Sequence, residues 1–405
     1  MTDYTDVERS IWRAHPARLV DAALQAIDAW LGADGAEVLL IDYHQSHLVP
    51  FAQGAGGSPV PVDGHPAGQA YAACRVVPDE ERVYLPLSVY GERLGVLAVR
   101  LAPDNEAKPD DLAGVADTLA RAIVVANTAT DIYREVRRRK RLTVAAEMQW
   151  ELLPGRTCRS DEFSMAGQLE PAYAVSGDNF DWSISRDSLT LSVTNGMGSG
   201  ISAALLTQLA VSSLRNARRS GAGPAESAEL ASGMVYSQYG GQSHSSTLLL
   251  RITLATGEAE VVDAGSPRML RIRPGHVEPV PFDEQMPLGM FSDTRYRAQR
   301  LTLHPGDRFM ILSDGLWSAR GPAGRVYGDA PLTTAIRRSR LQDPDEAVRF
   351  LISDLLQYHE GSDLADDAIA VCLDWNGAAP PPEPAGAAGG AQLITPGRTS
   401  PDVMT

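Results

Sequence analysis

The sequence predicts an α+β protein of two domains, and three observations carry that expectation. The chain has 405 residues and 44% hydrophobic content, more than one core organises, since cores stop growing near about 250–300 residues. Its second half is a succession of short alternating apolar runs broken by turn residues, with helical patterns in clusters. That is the mark of antiparallel sheets covered by helices, not of a parallel strand-helix-strand array. Its first 130 or so residues read helix, strand, loop, strands, helix, a smaller domain of mixed class.

Taken in order, apolar residues from Ile11 to Leu31 recur at threes and fours over about 6–31, an amphipathic helix closed by Gly32 and Gly35. A strand follows at 36–43, then a Gly/Pro/His-rich stretch to Gly68, a short helix at 69–73, strands at 82–87 and 94–101 around a turn at 88–91, and a helix at 109–127. His44 and His47 have no third ligand nearby and read as exposed loop histidines. Residues 131–153 lack Gly and Pro until Pro154, which predicts one continuous helix and a rigid joint between domains. Its basic run, Arg137 to Arg141, reads as a solvated face.

Strands are expected at 163–170, 179–185, 188–194, 247–253, 258–263, 269–273, 297–303, 308–313 and 368–374, and helices at 201–220, 225–238, 331–338 and 344–359. The stretch 189–206, LTLSVTNGMGSGISAALL, is the clearest junction: strand period, then glycines, then helix period. After Asn376 the Pro/Gly/Ala-rich tail has little to bury and is expected to be disordered.

Composition narrows function. A formal charge of -15 argues against a nucleic-acid or anionic-membrane surface. Cys74, Cys158 and Cys372 are odd in number and far apart, suggesting neither a disulfide framework nor a thiolate zinc site. No apolar signal core or membrane span is evident, so a cytoplasmic protein is expected.

Four predicted turns place an acid or amide at a strand end: Asp178 in SGDNFD, Asn195 in VTNGMGSG, Asp314 in MILSDGLW, and Asp366-Asp367 in LADDAIAV. Hard cations such as Mg²⁺ and Mn²⁺ take oxygen ligands of this kind and keep positions open for phosphate. The ordered series AAEMQWELLP, PAYAVSGDNFD, NGMGSGISAALL, AGSPRML, PLGM, HPGDRFMILSDGLW and DDAIAV resembles the SpoIIE-type branch of the PPM metal-dependent serine/threonine protein phosphatases. The segment VYLPLSVYGERLGVLAVRL resembles a GAF domain.

These resemblances imply a GAF-like α/β sensor or dimerisation domain at 1–130, a linker helix at 131–153, a PPM phosphatase αββα sandwich at 154–375 and a tail at 376–405. They imply two ions, Mn²⁺ or Mg²⁺, held by Asp178, Asn195, the Gly196 carbonyl, Asp314, Asp366 and its neighbour Asp367, with Asp178, Asn195, Asp314 and Asp366 as the catalytic set. The implied substrate is phosphoserine or phosphothreonine on a regulatory protein such as an anti-sigma-factor antagonist. A small-molecule ligand of the GAF-like domain and a homodimer through the linker are further expectations.

Asn195 stands where the family has an aspartate bridging both metals, and a neutral amide offers one acceptor oxygen and no charge. Ser266 replaces a usual histidine and Ser313 a usual threonine. The alternative is therefore a phosphatase-fold binding or scaffolding module without turnover. A dinucleotide-binding turn at GMGSG needs a parallel strand after the helix, and the sequence predicts a second helix there instead.

Overall fold

A computed structural model describes residues 4–51, 57–79, 82–102, 107–139, 142–172, 175–265, 267–274, 276–321, 324–360 and 364–378. The expected tail disorder and Ser266 lie outside the described residues, apart from residues 376–378.

The first domain comprises α1 (Tyr4–Arg13), α2 (Leu19–Leu31), β1 (Glu37–Ile41), β2 (His47–Pro50), β3 (Val60–Pro61), α3 (Pro66–Ala73), β4 (Val77–Pro78), β5 (Val83–Val89), β6 (Glu92–Val99) and α4 (Pro109–Ala126). Its sheet runs β3-β2-β1-β6-β5-β4. Strand alternation divides its side chains between two cores: Leu40, Leu85 and Leu97 face Ile11, Ile27 and Leu119 of the three long helices, while Leu39 and Val96 face Tyr71 of α3. The single helix expected over 6–31 is broken, because Pro16 opens a 3-10 turn whose first free N–H, that of Ala17, bonds the His15 ring.

The expected linker helix is also interrupted. It forms α5 (Ile132–Arg137) and α6 (Val144–Leu152), with Arg138 in extended backbone and Thr143 capping the second helix through Ala146 N–H. Of the basic run, Lys140 and Arg141 lie outside the described residues and Arg139 is exposed, but the described arginines have partners: Arg137 Nε donates to Ile41 O at 3.0 Å, Arg138 pairs with Glu147, and Arg139 reaches Asp42 at 3.4 Å. Contacts to neighbouring groups thus override helix propensity, and the homodimer expected through an unbroken helix loses its basis.

The second domain continues with β7 (Thr157–Arg159), β8 (Phe163–Glu170), β9 (Asn179–Ile184), β10 (Ser188–Asn195), α7 (Gly200–Arg219), α8 (Pro224–Tyr239), β11 (Ser246–Thr253), β12 (Glu258–Ala264), β13 (Arg268–Arg273), β14 (His276–Pro279), β15 (Gln299–Thr302), β16 (Arg308–Leu312), α9 (Asp314–Trp317), α10 (Ala330–Ser339), α11 (Pro344–Tyr358) and β17 (Ala368–Trp375). Two sheets form, β15-β12-β11-β10-β9 and β14-β13-β16-β17-β8-β7, and their strand pairings are all antiparallel. The parallel strand a dinucleotide turn requires is not there among the described residues.

Phe180, Leu191, Leu250, Phe309 and Val371 fill the space between the sheets, each fully buried side chain contributing about 1.5–3 kcal/mol of transfer free energy. Outside them, α8 covers one sheet through Ala228 and Ala231 against Leu249 and Val262. On the other, α10 and α11 pack Ile336, Leu351 and Leu355 against Met310 and Ala370. The result is the expected four-layer helix-sheet-sheet-helix order. Among the described residues no helix is long and apolar enough to cross a membrane.

Candidate metal centre

Antiparallel pairing decides where the acids go. β9 starts where β10 ends, with Asn179 paired to Thr194, so Asp178 and Asn195 leave one sheet at the same edge. β16 ends where β17 starts, with Leu312 paired to Ala370, so Asp314 and Asp366-Asp367 leave the other sheet at its own edge. Asn195 Nδ2 donates to Asp314 Oδ1 at 2.7 Å, which puts both edges at one end of the sandwich.

The loops can approach because they lack side chains. A Cβ on Gly196 would come within 2.7 Å of Ser176 O, and one on Gly315 within 2.0 Å of Asp367 O. Gly177 adopts φ +87°, and its carbonyl accepts the Thr207 hydroxyl of α7. The α7 N-terminus is partly taken, since Gly200 N–H bonds Val175 O at 2.7 Å.

Asp178 is 1% exposed. Burial pushes its carboxyl well above the usual carboxylate range, and Asp367, Asp366 and Asp314 push the same way. Its Oδ2 has no hydrogen-bond partner. Burial and Asp366 also raise Asp314, against the pull of Gly315 N–H and the Asn195 amide. Asp366 is half-buried and accepts Asp367 N–H at 2.8 Å.

Asp367 has another task. Its Oδ2 accepts Gln149 Nε2 at 2.6 Å and the N–H groups of Ser176, Gly177 and Asp178 at 2.9, 2.9 and 3.2 Å, and its Oδ1 accepts Ala172 N–H at 2.8 Å. A carboxylate with five donors is a clamp on the loop that carries Asp178, and the expectation that it ligates a metal does not fit this donor set.

Sequence reading missed Gln149, whose Nε2 also donates to Asp178 O at 2.8 Å. The signal was a lone amide on the otherwise apolar buried face of α6. It also missed Asp181, 2% exposed, which ties α7 to the sheet through Arg215 and Arg218 at 2.8 and 2.9 Å.

Three acidic side chains, Asp178, Asp314 and Asp366, therefore share one electrostatic environment, and the orphaned Asp178 oxygen suits a hard cation. At Asn195 a neutral amide, not an acid, faces Asp314. Among the described residues no group of three or more His, Cys, Asp or Glu side chains is already drawn together around a cation position.

Residues 185–376 match the family model described as stage II sporulation protein E, SpoIIE. Over this span, a little under half of the chain, the sequence is that of a SpoIIE-type domain. The matched span of that SpoIIE-type domain includes Asn195, Asp314, Asp366 and Asp367, and begins after Asp178. No match was found among curated proteins.

Similar solved structures include the RsbU and RsbW domains of Rv1364c from Mycobacterium tuberculosis, at 22% identity, TM-score 0.47, over 54% of this chain and 61% of that one. Others are the PP2C phosphatase domain with a regulatory fragment of SpoIIE from Bacillus subtilis, at 18% identity, TM-score 0.47, over 54% and 66%, and the SiaA-PP2C domain of Pseudomonas aeruginosa, at 20% identity, TM-score 0.49, over 57% and 94%. The chain spans less than two thirds of the first two.

Proposed function

We propose that this chain is a divalent-metal-dependent protein serine/threonine phosphatase whose centre is weakened at Asn195. The observation that carries the reading is Asp178: a buried acid among like charges, with one oxygen unpartnered, is what an oxygen-ligated cation would stabilise. Asp178, Asp314 and Asp366 would hold Mn²⁺ or Mg²⁺, with the Gly196 carbonyl nearby, and a second ion would be held weakly where Asn195 replaces the bridging acid. When bound, such ions supply a water of lowered pKa to attack phosphorus. The chain's own part is positional: Asp367 and Gln149 fix the Asp178 loop, and Gly196 and Gly315 keep side chains out.

The motif series supports phosphoserine or phosphothreonine on a regulatory protein, such as an anti-sigma-factor antagonist, as substrate, and a cytoplasmic setting. The sequence resemblance likewise supports reading 1–130 as a GAF-like sensor domain that regulates the phosphatase domain, 154–375, across the segment 131–153. The Asn195–Asp314 hydrogen bond favours a second reading, a phosphatase-fold binding module, because it joins the two edges without an ion.

Calorimetric titration of the full chain with Mn²⁺, beside a phosphopeptide assay, separates them. The enzyme reading expects saturable heat and phosphate release above an Asp314→Ala control; neither appearing would overturn it.

A further inference from the structure

Between the two domains lies a cleft of about 790 Å³, a size that suits a small organic molecule. One wall is the β1–β2 turn, from His44 to His47; the other is the end of β8, from Gln168 to Pro171, with the face of α11 that carries Glu346, Arg349 and Phe350. The two arginines at its edge already have carboxylates: Arg349 bonds Asp63 at 2.7 Å, and Arg139 reaches Asp42 at 3.4 Å.

His44, His47, Arg139 and Arg349 line the cleft with Asp63, Glu170 and Glu346, and two acceptors beside it lack donors. Glu170 is 8% exposed and Gln168 3%; Glu170 Oε1 lies 3.0 Å from His44 Nδ1, but Glu170 Oε2 and Gln168 Oε1 have no hydrogen-bond partner. Glu346 adds a further carboxylate to the wall, and Phe350, Leu356 and Leu364 give it an apolar side. Buried acceptors without donors are costly, and a charged donor satisfies a carboxylate best.

We propose that this cleft binds a small organic cation, an amine or amidine on an apolar body, whose N–H groups bond Glu170 and Gln168 while Phe350 and Leu356 cover the body. A ligand there touches both domains. It also sits at the strand end that continues through Ala172, whose N–H bonds Asp367 Oδ1 at 2.8 Å, into the loop bearing Asp178. The site does not depend on the phosphatase reading, because its test needs neither metal nor turnover.

The probes are benzamidinium and phenethylammonium, titrated calorimetrically into the full chain in EDTA, with benzoate as the anionic counterpart. At least one cation is expected to bind saturably at one site per chain, and benzoate not to bind. Glu170→Gln, which keeps the side chain's size, is expected to weaken the cation by about ten-fold or more, this being a lost charge-assisted bond. Phe350→Ala should weaken it independently. Absence of binding by both cations, equal binding of benzoate, or undiminished affinity in both variants at unchanged melting temperature would overturn the proposal.

Discussion

The side-chain amide of Asn195 donates to Asp314 Oδ1 across 2.7 Å, so a hydrogen bond between two sheets stands where an aspartate would place two carboxylates face to face. Asn195→Asp is therefore expected to act in opposite directions with and without metal. In EDTA it should lower the melting temperature of the second domain, because a hydrogen bond to a charged group, about 1.5–3 kcal/mol, becomes a like-charge contact. In Mn²⁺ it should raise both metal affinity and phosphate release by at least about ten-fold. A melt in EDTA checks the first effect and a Mn²⁺ titration beside the phosphopeptide assay checks the second; a variant that melts no lower in EDTA, or that binds Mn²⁺ no more tightly, would contradict it.

Asp367→Asn tests the clamp. Asparagine offers one acceptor oxygen to a position where five donors now converge on two. Mn²⁺ affinity should fall by about 10–100-fold, the usual cost of losing a group that positions a ligand. A variant that folds and binds Mn²⁺ at full affinity, read by circular dichroism and calorimetry, would show that the clamp does not matter.

Arg93 and Asp345 join the domains through a forked ion pair, with Arg93 7% and Asp345 13% exposed at the side chain. Arg93→Met leaves the Asp345 carboxylate with only Arg159, 3.5 Å away and 44% exposed at the side chain, takes the donor from the Ala72 carbonyl, and should destabilise by about 3–5 kcal/mol. Adding Asp345→Leu should restore most of that loss. A thermal double-mutant cycle gives the coupling directly.

Asp307 supplies the pH dependence. Burial alone would raise its carboxyl, but the Arg273 fork and His304 N–H hold it below the usual range. A folded pKa depressed below the unfolded value, about 3.9, means that the unfolded chain binds the proton more readily. The stabilisation is therefore full above that unfolded value and is lost as pH falls through the folded one. Asp307→Asn should lower stability at pH 7 and flatten the acid limb of the melting-temperature profile; an unchanged limb would contradict it.

Local periodicity made most of the second domain legible. Leu189, Leu191 and Val193 alternate inward, and Ala203, Leu206 and Ala210 recur on the buried face of α7, because burial itself imposes those periods. The ends of β9, β10, β16 and β17 followed, and with them the acids. What stayed hidden depends on partners distant in sequence. Nothing local marks a stop near Arg138, where the neighbouring arginines find Ile41 O and Asp42. Gln149 looks like any helix amide until Asp367 arrives from 218 residues away. β3 and β4 have two residues each, too few to show a period.

The extended backbone at Arg138 interrupts the helix between the domains. What remains is a grip from the side. Arg93 holds Asp345 and Asp63 holds Arg349, and these two α11 residues lie four apart, on one helix face. Both grips bear on α11, which rests on β8 and β17. One of those strands ends at Glu170 and the other begins beside Asp367. A hold on α11 is therefore a hold on the layer whose strand ends carry Glu170 and Asp367.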